Sequence, residues 1–228
     1  MSAERRIYWG VGLLSVAIMA TAFLTPGDRP DRDELPWNVE HPTAETTRIL
    51  GLTLGQSTPA DAERRFREKG ELALFRSPDE RVSAEMYFEQ INLAGLRSRV
   101  VLTVQVAEAE LKAMLERGMR MSATASGRKV TLAPDDEARL RTMPIGSLTL
   151  IPGVRVPEEH LRKRFGEPSK VIREAQTGVT HLLYPQHALG ISTSASGSEK
   201  QVLQFVPPQD YERLLAPLLK AGGQVISG

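Results

Sequence analysis

The chain has no cysteine. That absence excludes disulfides, cysteine-ligated zinc, iron–sulfur clusters, thiol catalysis and lipid attachment at an N-terminal cysteine. Aromatic residues make up only 5% of the 228 residues, too few for stacking platforms or an aromatic cage. Net charge is also lacking: 29 Lys and Arg against 28 Asp and Glu leave +1. No field draws the chain as a whole toward nucleic acid, and no nucleic-acid partner is expected. Catalytic signatures are missing too, with no H-E-x-x-H, G-x-S-x-G, P-loop or G-x-G-x-x-G. What remains, 41% hydrophobic and 25% charged residues, is an ordinary globular balance.

One segment departs from that average. Ile7 to Leu24 is 18 residues without a charge, about 27 Å long as a helix and close to the hydrocarbon thickness of a bilayer. Arg5 and Arg6 precede it, Tyr8 and Trp9 sit at interfacial positions, and Pro26-Gly27 ends it. The flank beyond is acid-rich, with Asp28, Asp31, Asp33 and Glu34. The positive-inside rule then predicts a single-pass protein of the bacterial inner membrane. Residues 1–6 are cytoplasmic, residues 7–24 are the transmembrane anchor, and the remainder is periplasmic. Ile7, Trp9, Leu13, Leu14, Ile18, Phe23 and Leu24 are the anchor residues, and the lipid bilayer is their partner. The alternative is a signal peptide cleaved after Ala22, which releases the rest to the periplasm. Residues 25–47, with Pro30, Pro36 and Pro42, read as an extended linker. Within it Trp37 either pins the linker to the folded domain or contacts a partner.

An internal repeat organises the rest. Leu52-Thr53-Leu54 recurs as Leu148-Thr149-Leu150. Each copy continues into a short helix opened by proline and acids, Pro59 with Asp61 and Glu63, then Pro157 with Glu158 and Glu159. Ala62 and Phe66 are four apart, as are Leu161 and Phe165, giving each helix one apolar stripe. Ser83–Leu96 matches Thr180–Ile191 with Tyr87 aligned to Tyr184, and Arg99–Val104 matches Gln201–Val206. Amphipathic helices from Glu108 and Gln209 close the copies, and the offset drifts from 96 to 102 residues. The expected fold is α+β: the transmembrane helix, then two tandem α/β units, residues 48–118 and 147–228. Each unit is a short helix on a small antiparallel sheet with a closing helix. Residues 119–146 form a connector, whose Asp135-Asp136-Glu137 run reads as helix-start electrostatics rather than a metal site.

The stretch Val156–Ser169 runs from a Pro-Glu-Glu helix start through Arg-Phe-Gly and Glu-Pro-Ser into a strand. It resembles the BamE/SmpA outer-membrane assembly lipoproteins, whose repeat also passes from a short helix through a Gly-x-Pro turn into an antiparallel sheet. Two such units in tandem resemble the architecture of the secreted β-lactamase inhibitor protein. Gly166 and Pro168 shape the turn, the glycine by accepting positive φ and the proline by stopping the helix. The first copy departs from this pattern, with Arg67 in the glycine's place and no proline. The lipidated cysteine of those lipoproteins is absent, so an inner-membrane anchor must replace it. The resemblance implies a non-catalytic periplasmic module that binds other proteins.

Other candidate residues are few. Of the four histidines, His181 and His187 flank one strand and, with Tyr184, are the candidates for a polar cleft between the units. Ser192–Ser198 reads as a flexible hairpin loop. Arg64-Arg65-Arg67 and Arg162-Lys163-Arg164 fall at equivalent places; Arg162 and Arg164 are candidate contacts to a partner or to anionic lipid. Three functions are therefore open. The first is a non-catalytic adaptor or accessory subunit of an envelope complex, binding another envelope protein through the exposed sheet or an inter-unit groove. The others are a small-ligand-binding or enzymatic domain with an inter-unit cleft, and a secreted enzyme inhibitor. No catalytic residue, metal or cofactor is expected.

Overall fold

The computed structural model describes residues 35–124, 127–194, 197, 199–215 and 223–227. The chain divides into Met1–Asp31 and Arg32–Gly228, and the described residues all belong to the second unit.

Local chemistry sets the helices. At α1 (Pro59–Phe66) the Thr58 hydroxyl accepts from the Asp61 N–H while the Asp61 carboxylate accepts from the Thr58 N–H. This reciprocal cap, with proline in the first turn, fixes where the helix starts. Helices α2 (Glu108–Glu116), α3 (Pro134–Leu140) and α4 (Glu158–Phe165) also open with acids in the first turn. Three of them are tied together by ion pairs: Glu63 of α1 to Arg141, Glu110 of α2 to Arg139 of α3, and Arg117 to Asp136 of α3.

The strands are β1 (Arg48–Ile49), β2 (Leu52–Thr53), β3 (Glu71–Arg76), β4 (Val82–Leu93), β5 (Leu96–Val104), β6 (Arg120–Thr124) and β7 (Gly127–Thr131). They continue with β8 (Ile145–Pro152), β9 (Lys170–Glu174), β10 (Val179–Tyr184), β11 (Leu189–Ser194), β12 (Val202–Phe205) and β13 (Gly223–Ser227). Apart from the small β1–β2 hairpin, all join one antiparallel sheet of eleven strands, in the order β13-β9-β10-β11-β12-β8-β5-β4-β3-β7-β6. β8 is the seam: it pairs with β5 on one side, Leu102 opposite Leu148, and with β12 on the other, Leu203 opposite Leu150.

Alternation along these strands sorts the two faces. In β5, Ser98, Val100, Leu102 and Val104 are buried, whereas Arg97, Arg99, Val101 and Thr103 are not. Val100, Leu102 and Val104 join one core with Leu148, Leu150, Leu203 and Phe205 from the neighbouring strands, and α1 to α4 all contribute to it through Ala62, Met114, Leu140, Leu161 and Phe165. The opposite face is left half-exposed along β5, β8 and β12.

Helix α1, β3, β4 and β5 follow one another as α4, β9, β10 and β11 do. Phe66 meets Phe88 edge-on at 5.2 Å, and Phe165 meets Tyr184 at 5.8 Å. Register gives the same equivalence: Glu71 pairs with Tyr87 and Lys170 with Leu183, which sets Phe88 against Tyr184. The sequence alignment of Tyr87 with Tyr184 is therefore off by one residue, and on a strand one residue changes the face. The match of Arg99–Val104 with Gln201–Val206 also gives way, because β5 pairs with β4 whereas β12 is separated from β10 by β11.

The expected fold class is corrected. In place of a transmembrane helix followed by two small α/β units, each with its own sheet, there is one continuous eleven-stranded sheet. Backbone pairing between β5, β8 and β12 fuses what the repeat had suggested were separate sheets. Residues 119–146 extend that sheet by β7 and β6 at its edge. The transmembrane, single-pass and inner-membrane expectations are withdrawn with it. No helix among the described residues is long and apolar enough to cross a membrane. The helices α1 to α4 have seven to nine residues, less than half of the roughly 20 a span requires. Ile7, Trp9, Leu13, Leu14, Ile18, Phe23 and Leu24, on which that expectation rested, lie outside the described residues.

Candidate functional site

The half-exposed face of the sheet is built by strand alternation alone. Tyr87, Val101, Thr149 and Gln204 stand in one row across β4, β5, β8 and β12; Thr103 and Ser147 pair in the next row. Ile151 stands opposite Arg99, and Val202 opposite Ser192. On β5, β8 and β12 the middle of this face is uncharged, with Val101, Thr103, Ser147, Thr149, Ile151, Val202 and Gln204, while Glu85 opposite Thr103 and Arg99 opposite Ile151 bring charge to its borders. Charge gathers at its margin, where the Tyr87 hydroxyl and the Arg99 guanidinium both hydrogen-bond Glu89. Those contacts, Tyr87 first, hold the Glu89 carboxyl below the usual range, with Lys200 nearby adding to the effect.

A hydrogen-bonded relay crosses the other half of the same face. Ser192 Oγ lies 2.8 Å from His181 Nδ1, and His181 Nε2 lies 2.8 Å from Glu174 Oε1. Thr177 donates to the other Glu174 oxygen at 2.5 Å. The relay joins β11, β10 and β9, and His181 is 6% exposed. A serine, histidine and carboxylate in line suggest a nucleophile, but the surroundings do not complete one. β11 runs between β10 and β12, so its backbone N–H groups are spent on the ladder rather than aimed at a developing oxyanion. The relay instead staples three strands. The Thr177 hydroxyl first, then His181, holds the Glu174 carboxyl below its ordinary range. A depressed carboxyl stabilises the fold above its unfolded pKa and loses that contribution as pH falls through the folded value. Glu174→Gln should therefore cost about 0.5–1.5 kcal/mol near neutrality. In urea titrations the difference from the parent chain should shrink below about pH 4. A difference that stayed constant with pH would show that Glu174 is not ionised in this contact.

The sequence-selected residues fall in several places. His181 lies on the sheet face opposite the core, buried at this end of it, whereas Tyr184, three residues on, points into the core. His187 donates from Nε2 to the Phe165 carbonyl at 3.1 Å and meets the Phe165 ring edge-on at 5.7 Å. Burial lowers its pKa. His181, Tyr184 and His187 therefore do not line one cleft. Arg162 is bound by Glu158 and Glu167 of its own segment. Arg164 stacks over the Trp37 ring at 4.6 Å, so the two candidate contacts satisfy each other. With that stack, the Thr47 hydroxyl donating to the Val206 carbonyl at 2.8 Å and the Glu40–Arg48 bridge, residues 35–47 lie against the domain rather than free of it. Gly166 takes φ 83° at the end of α4, and Arg67 takes φ 53° at the matching end of α1.

Asp136 spends both oxygens on Arg117, at 2.7 and 3.1 Å. Among the described residues no group of three or more His, Asp or Glu is placed to hold a metal ion. Sequence reasoning missed Glu174 and took Ser192 for a loop residue; β11 carries it to Ser194. It also passed over Val101, Thr149 and Val202, although the period-two pattern of Arg99–Val104 carried a signal for the first. Compared with protein-family models, curated proteins and solved structures, the chain matches none.

Proposed function

We infer that this chain is a non-catalytic protein-binding module, an adaptor or accessory subunit, that takes a partner protein on the half-exposed face of its sheet. The observation that carries this reading is the uncharged centre of that face, Val101, Thr103, Ser147, Thr149, Ile151, Val202 and Gln204 on three adjacent strands, opposite a fully packed core. Neutral, β-branched side chains on a rigid sheet lose little entropy on contact and present apolar area without a desolvated charge. The resemblance of Val156–Ser169 to the BamE/SmpA proteins supports the same reading, since those modules bind other proteins. The helix side offers less: it is densely charged, and part of that charge is engaged internally, as in the Glu63–Arg141–Glu137 network.

The test is site-specific photocrosslinking in cells, with the reactive group placed at Gln204 on the face or at Glu159 on α4. A protein adduct should form from position 204 and not from 159, and Thr149→Arg in the same chain should remove it. Adducts formed equally from both positions, or only to lipid or a metabolite, would overturn the reading.

A further inference from the structure

At one end of the same face the sheet opens into a cleft of about 400 Å³. Its lining includes Arg97 and Arg99 of β5, Arg155 from the loop after β8, and Lys200 before β12. Only Glu89 and Glu199 oppose these four cations in the lining. Glu89 is already taken by Arg99 and Tyr87. Arg97 and Arg155 are exposed and have no ion-pair partner among the described residues.

The walls are held from two sides. The Gly153 N–H donates to the Arg97 carbonyl at 2.8 Å, and a Cβ at Gly153 would come within 2.5 Å of that oxygen. Only glycine lets the loop after β8 approach β5 this closely. On the other side Gln201, 5% exposed, grips the Val156 backbone twice, accepting from its N–H at 3.0 Å and donating to its carbonyl at 3.1 Å. Arg155 sits between these two clamps, so its backbone is placed rather than free. Long cationic side chains on fixed backbones, beside the apolar Ile151 and Pro152 of the same lining, form a site for carboxylates.

We propose that this cleft receives an acidic segment of the partner protein, with Arg97 and Arg155 as its principal contacts. The inference rests on the protein-binding reading of the adjoining face and names the charge the partner must present. Ile151 belongs to both the cleft and the neutral face, and Arg99 borders both, so one partner can fill the two together. A polyphosphate chain is a poorer fit, because Glu89 and Glu199 stand in the lining and the excess is two charges (four cations against two carboxylates).

The experiment is fluorescence anisotropy on the full chain with a fluorescein-labelled peptide of alternating Glu and Gly, against the same peptide with Gln for Glu. A single-stranded oligonucleotide and anionic phosphatidylglycerol vesicles form the other arms. The Glu peptide should bind, weaken as salt is raised, and lose about tenfold or more in affinity on Arg97→Glu with Arg155→Glu. Arg97→Lys with Arg155→Lys, which keeps the charge, should retain most of the binding and serves as the folding control. Equal binding of the Gln peptide, no binding of the Glu peptide, or loss of only the oligonucleotide or vesicle signal in the double variant would overturn the proposal. The two readings fail separately. If the peptide result is negative while Thr149→Arg still abolishes the crosslink, the cleft inference falls and the face remains. If Thr149→Arg leaves the crosslink intact while the peptide binds, the reverse holds.

Discussion

Replacing Phe88 by Ala should cost about 3–5 kcal/mol of stability, whereas Tyr87→Ala should cost about 1 kcal/mol or less. Phe88 is 1% exposed and stands edge-on to Phe66, so truncation removes its own burial and leaves a cavity beneath α1. Tyr87 points the other way, onto the half-exposed face, where solvent can replace the lost ring. For a folded unit of this size the larger loss lowers Tm by roughly 6–20 °C. Urea unfolding of the two variants is sufficient to check it. The pair separates two registers: an alignment by tyrosine would make Tyr87 the core residue, and equal losses would contradict the pairing of Glu71 with Tyr87. Tyr184, the structural counterpart of Phe88, adds a control. Its ring is fully buried and its hydroxyl has no hydrogen-bond partner among the described residues, so Tyr184→Phe should be neutral or slightly stabilising.

The second large effect is a change of sign between two equivalent positions. Gly166 ends α4 with φ 83° and ψ −167°, a region that only glycine occupies without strain. A Cβ there would meet nothing within 4 Å. Gly166→Ala should nevertheless cost about 1–3 kcal/mol, all of it backbone strain. Arg67 ends α1 at φ 53° and ψ 33°, the left-handed region that an L-residue enters at a cost of about 1–2 kcal/mol. Arg67→Gly should relieve that strain and stabilise by about 0.5–1 kcal/mol after the added chain entropy of glycine is subtracted. Denaturant midpoints of the two single variants should move in opposite directions. Movement in the same direction would mean that the turns after α1 and α4 are not built alike.

These two turns also show how the chain could be read in advance. The Gly166–Pro168 turn was legible because glycine and proline announce their backbone preferences. The matching turn at Arg67 was not, since arginine carries no such signal. The relay of Ser192, His181 and Glu174 was illegible for a similar reason. Its members lie on three strands, and alternation tells which face a side chain takes but not which strand stands beside it. The cleft is a sharper case: Arg97, Arg155 and Lys200 are unremarked charges in the sequence, and only the Gly153 and Gln201 clamps bring their backbones to one place.

By itself the sequence determined what neighbours along the chain decide. Proline and acids placed the starts of α1 and α3, the absence of cysteine left stability to packing, and period-two stretches marked where strands run. Those are local effects, set by backbone preference and solvation within a turn or two. The tertiary structure alone decided that β8 would join β5 to β12, since residues about fifty apart pair through backbone groups that every residue carries. That pairing turned two repeats into one sheet. It also created the neutral face and the cationic cleft, because both are made of side chains that become neighbours only across strands.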